Sequence, residues 1–121
     1  MAKRKQIKKP ESGEAAVLAA IAAMKPPFRG MGERLHALIM RTAPTLQPKL
    51  FYGMPGYAKT GPVICFFRAD KYMTFGLTEK AHLTRDAGVA DQLMPAAWLF
   101  SELDAATEER LAAIVSGAAS E

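Results

Sequence analysis

At 121 residues, half of them apolar and 23% charged, the chain is long enough to bury one core without disulfides or structural metal, and too short to favour a second domain. Mean hydropathy is close to zero, and no apolar run approaches the roughly 20 residues that cross a bilayer, which argues against both a disordered chain and a membrane-spanning one. The formal net charge of +4 is concentrated at the front: Lys3, Arg4, Lys5, Lys8 and Lys9 are five of the sixteen bases, and what remains carries eleven bases against twelve acids.

The chain is therefore expected to divide into a basic flexible arm, residues 1–10, and a single domain, residues 11–121. A cluster of Lys and Arg can tether nucleic acid by releasing counterions from phosphate. A short arm with no aromatic residue to stack on bases, ending in Pro10, also reads as a solvated terminus. Lys8, Lys9, Pro10 and Glu11 stand where an apolar signal core would begin, so a cytoplasmic location is expected. The single cysteine, Cys65, agrees with a reducing compartment.

Ser12 precedes a segment, Glu14 to Lys25, in which Val17, Leu18, Ile21 and Met24 recur at helical spacing on an alanine-rich background; Pro26 and Pro27 end it. A second helix is expected from about Gly30 to Thr42, with Met31, Leu35, Leu38 and Ile39 as its apolar stripe. After Pro48 the pattern changes to aromatic and β-branched clusters broken by Gly and Pro, the signature of strands. Lys49 to Tyr52 reads as a strand, Gly53 to Gly56 as a turn and Tyr57 to Thr60 as its partner. Val63 to Ala69 is apolar on both faces and should lie centrally, under helices. Tyr72 to Leu77 alternates, with Met73, Phe75 and Leu77 on one face. Glu79 to Pro95 has no clear period and reads as an irregular connection. Ala97 to Phe100 is a last short strand. Asp104 or Thr107 caps a final helix with Leu111, Ile114 and Val115 buried and Gly117 at its end. Helices, a block of strands and a helix predict an α+β fold: an antiparallel sheet of about four or five strands with three helices packed on one face.

The most distinctive stretch is Phe51-Tyr52-Gly53-Met54-Pro55-Gly56-Tyr57. Two glycines and a proline between aromatic residues make either a rigid hairpin closing the core or a loop lining a pocket, with Tyr52, Met54, Pro55, Tyr57 and, from the last strand, Trp98 as ligand-binding candidates. Tyr52-Gly53-Met54-Pro55, followed by Gly61-Pro62-Val63-Ile64-Cys65-Phe66-Phe67, resembles the signature of the YdhG-like domains, and the likeness extends from about Leu35 to the Trp98 and Asp104–Glu108 segments. The resemblance implies an α+β fold with an antiparallel sheet. Some members of that family are described as frataxin-like intracellular iron chaperones, which implies iron, as cargo, on surface carboxylates.

The carboxylates available are Glu102, Asp104, Glu108 and Glu109; Asp104, Glu108 and Glu109 could hold a hard cation loosely, or complement the dipole of a helix N-terminus. His36 and His82 have no Cys, Asp or second His at zinc-ligand spacing, and no phosphate loop, dinucleotide fingerprint or nucleophile elbow is present. Cys65 in the most apolar strand should be a buried, inert thiol. No catalytic residue and no resident cofactor is expected. The sequence points to a small binding module for a small molecule, a metal ion or a protein, monomeric or homodimeric and not associated with a membrane. The alternative is nucleic-acid binding through the basic arm.

Overall fold

The computed structural model describes residues 8–120. Its elements follow in the order α1 (Lys8–Ala22), α2 (Phe28–Thr42), β1 (Gln47–Phe51), β2 (Met54–Ala58), β3 (Val63–Ala69), β4 (Met73–Leu77), β5 (Ala97–Phe100) and α3 (Ala105–Ala118). The five strands form one antiparallel sheet in sequential order, a meander that needs no crossover. The chain thus has the α+β architecture its sequence pattern predicts. No helix among the described residues is long and apolar enough to cross a membrane.

Several boundaries differ from the sequence expectation for identifiable reasons. The first helix is already formed at Lys8, so Ser12 lies inside it rather than ahead of it, and Leu18 turns to solvent while Val17 and Ile21 enter the core. In the second helix Met31, Leu35, Leu38 and Ile39 are all buried as one stripe. Its start follows Pro27 directly, because a residue with fixed φ and no amide suits a position before the first turn. Gly117 does not end α3. The helix runs through it to Ala118, and the amide of Ala119 continues the pattern by donating to Val115 O.

The sheet has two unlike faces. Cross-strand partners share a face, so Tyr57, Cys65 and Leu77 lie together, and so do Phe67 with Phe75 and Trp98. Tyr57, Cys65, Phe67, Met73 and Phe75 are fully buried and form a single core with Val17 and Ile21 of α1, the α2 stripe, and Leu111 and Val115 of α3. The opposite face carries the row Lys49, Gly56, Phe66, Gly76 and Ala97, beside the row Arg68, Thr74 and Leu99. None of these residues belongs to the core shared with the helices.

On that second face, two glycines let the aromatic rings lie close to the sheet. A Cβ on Gly76 would sit 2.6 Å from ring atoms of Phe66, and one on Gly56 would sit 2.9 Å from both Lys49 O and the Cβ of Phe51. The Gly56 contact is with backbone, which cannot swing aside. Gly56→Ala is expected to lower unfolding stability by about 1–3 kcal/mol. Gly61→Ala, where an added methyl meets nothing within 4 Å, should stay within about 0.5 kcal/mol of the parent. Urea denaturation of the two variants measures the contrast, and equal effects would contradict the close approach at Gly56.

Candidate functional site

The expected loop from Gly53 to Gly56 is instead a two-residue turn, Tyr52-Gly53, with Phe51 paired to Met54 and the second strand beginning at once. Both turn residues have positive φ, 52° and 82°, as tight hairpins with right-handed strand twist require. Gly53 adopts this without cost, whereas a tyrosine there is uncommon. Pro55 precedes the stretch paired with β3, where a strand tolerates a missing amide.

Because strand residues alternate, the hairpin separates the proposed ligand residues rather than gathering them. Tyr52, 88% exposed, and half-buried Met54 belong to the helix-free side, with the Tyr52 ring edge-on to Phe51 at 4.7 Å. Tyr57 points the other way and is fully buried, as is Pro55. The Tyr57 hydroxyl lies 2.8 Å from His36 Nδ1, and His36 Nε2 lies 3.0 Å from a Glu14 carboxylate oxygen. An ionised carboxylate only accepts, so neutral His36 carries its proton on Nε2 and donates it to Glu14. Nδ1 is then left to accept from the Tyr57 O–H. This chain satisfies every buried polar atom in it and ties α1 and α2 to β2. His36, which had no assigned partner in the sequence, is its middle member.

Tyr57 and Cys65 are cross-strand neighbours in the same dry core. Burial pushes the Tyr57 hydroxyl far above its ordinary value, with smaller contributions from Cys65 and Glu14. Burial pushes the Cys65 thiol up from 9.0 to about 12. Both groups are thus held neutral and sealed from solvent, as the sequence suggested for Cys65.

Of the acidic candidates, Asp104 is the N-cap of α3. Its Oδ1 accepts from the Thr107 amide at 2.9 Å, and that hydrogen bonding holds its carboxyl below the usual carboxylate range. Glu108 pairs with Arg34 of α2, whose guanidinium also donates to Leu103 O at 2.6 Å. Glu109 is exposed on α3. Among the described residues no group of three or more His, Cys, Asp or Glu side chains is placed to hold a metal ion. Lys3, Arg4 and Lys5 lie outside the described residues, and Lys8 and Lys9 fall within α1.

Trp98 stands apart from the hairpin, on the far strand. It lines a cleft of about 250 Å³ between the 79–95 connection and α3, together with Leu77, His82, Leu83, Thr84, Asp86, Arg110 and Ile114. The connection is held there by the His82 amide, which donates to Ala118 O at 3.0 Å. Trp98, Arg110 and Ile114 also line a second groove, with Leu99, Phe100 and Thr107. The side chains of His82, Asp86 and Arg110 form no hydrogen bond or ion pair among the described residues. Sequence reasoning named Trp98 and His82 but missed Arg110 and Leu83. The i, i+4 spacing of Arg110 and Ile114 on α3 was the available signal. Comparison of the chain with protein-family models, with curated proteins and with solved structures found no match.

The sealed thiol and phenol make folding sensitive to alkali. In the unfolded chain Cys65 loses its proton near 9, whereas in the folded chain it keeps it until about 12. Its stabilisation is therefore complete below 9 and is lost as pH rises through that interval. Urea midpoints measured from pH 8 to 11 should fall, less steeply in Cys65→Ala, with Tyr57 supplying the remaining slope. An unchanged slope in the variant would contradict the burial of the thiol.

Proposed function

We propose that the chain is a non-enzymatic binding module that takes a small organic anion with an apolar or aromatic part in the cleft beside Trp98. The observation that carries this reading is the meeting of one indole, apolar Leu83 and Ile114, and the guanidinium of Arg110, without a partner among the described residues, on a single concave surface. Concave, mostly apolar sites with a few convergent polar groups are where small ligands bind. Arg110 can grip a carboxylate or phosphate through two parallel N–H bonds, and His82 and Thr84 add donors at the rim. The small volume suits a ligand of one ring and one acid group. Resemblance to the YdhG-like domains supports the same general class, a small binding domain of α+β fold.

The two groups most perturbed by their surroundings, Tyr57 and Cys65, are buried in the core and do not line this cleft, so they serve stability rather than chemistry. Benzoate and phenylphosphate should each change the emission of Trp98, the single tryptophan, saturably, while benzylamine should not. Arg110→Gln should weaken both anions about tenfold or more, the cost of losing a charged hydrogen bond. No saturable response to either anion, or an equal response to benzylamine, would overturn the proposal.

A further inference from the structure

The helix-free face of the sheet has a composition of its own. The five strands contain only two charged residues, Lys49 and Arg68, and no acidic one. Register puts both on this face: Lys49 is opposite Gly56, Gly56 opposite Phe66, and Arg68 two residues beyond Phe66. On the same face runs a chain of three aromatic rings, Tyr52 edge-on to Phe51 at 4.7 Å and Phe51 edge-on to Phe66 at 5.1 Å. Phe66 rests across Gly76, which has no side chain to lift it from the sheet. Leu99, 62% exposed, extends the apolar surface.

Apolar rings on an open antiparallel sheet whose strands carry cations and no acid match one ligand chemistry: bases that stack and phosphates that carry negative charge. We infer that this face binds single-stranded nucleic acid, with Tyr52, Phe51 and Phe66 as the stacking platform and Lys49 and Arg68 as phosphate contacts. A second copy of the chain is disfavoured as the occupant, because a two-fold contact would bring two copies of the same cation-bearing patch together. Both cations are available. Among the described residues Arg68 is held only by an exposed Asp70 at 4.0 Å, and Lys49 only by the carbonyl of Gly61 at 3.1 Å. The left-handed backbone of Tyr52 fits the same role, since an asparagine or glycine would satisfy the turn better but would present no ring. The platform is separate from the cleft at Trp98, so each stands or falls without the other.

Fluorescence anisotropy of labelled 12-nucleotide oligo(dT) and oligo(U), with a 12-base-pair duplex and poly-glutamate as controls, tests the inference on the full chain. Both single strands should bind, more tightly than the duplex, and the stronger of the two identifies DNA or RNA as the source. Tyr52→Ala, at an exposed position that leaves the core untouched, should weaken binding about tenfold. Lys49→Gln with Arg68→Gln should lower the slope of log affinity against log salt by about 1.4. Thermal unfolding by circular dichroism checks that each variant is folded. The inference is overturned if neither strand binds at 50 mM salt, if duplex or poly-glutamate binds as well as the single strands, or if Lys3→Gln, Arg4→Gln and Lys5→Gln together abolish binding while the face variants bind normally. Arg110→Gln should bind the oligonucleotides normally whatever the outcome at the cleft.

Discussion

The register of β2 against β3 is the constraint on which the rest of the structure depends. Tyr57 opposite Cys65 and Gly56 opposite Phe66 decide which side of each strand meets the helices, and a slip of one residue would exchange the two sets. The apolar run Val63 to Phe67 could not obey simple alternation and still bury all that it buries. An irregularity in the pairing after Tyr57 resolves this. Val63 comes to lie against Gly56 on the open face, while consecutive Ile64 and Cys65 both join the helix-side core. A bulge of this kind re-aims side chains without breaking the sheet.

The sealed face then needs a partner for the one hydroxyl it contains. Tyr57 contributes a large ring, stacked on Phe67 with centroids 6.2 Å apart, but a buried O–H without an acceptor costs about 1–3 kcal/mol. His36 supplies the acceptor and passes the demand outward to Glu14, whose carboxylate is in water. The polar chain thus fixes both N-terminal helices on the sheet in one arrangement. With α3 held to α2 through Arg34 and Glu108, all three helices are committed to one side. The other side is left to the Phe51, Tyr52 and Phe66 rings.

Much of this was legible in the sequence where a single local rule applied. The bounds of β3 and β5 follow from composition and the α2 stripe from its period, while the cap of α3, left open between Asp104 and Thr107 by the sequence, is Asp104. The Tyr52 to Tyr57 segment was not. Glycine and proline mark turns in general, yet here they serve different ends: Gly53 makes the turn, Pro55 sits in a strand, and Gly56 makes room for Phe51. Reading the turn two residues late put Tyr52 and Tyr57 in one loop, when the hairpin sends them to opposite faces. The cleft was legible only in part, because its walls come from separate segments between Leu77 and Ala118 that no single local pattern links, and Trp98 and His82 stood out in them by their chemistry.

The division of the sheet into a sealed face and an open one is the central claim, and hydroxyl-radical footprinting read by mass spectrometry measures it directly. On this account Tyr52 is oxidised fastest, Phe51 and Phe66 react at intermediate rates, and Tyr57, Phe67 and Phe75 stay protected until the chain is unfolded. Oxidation of Tyr57 as fast as that of Tyr52, or protection of Tyr52 in the isolated chain, would contradict it.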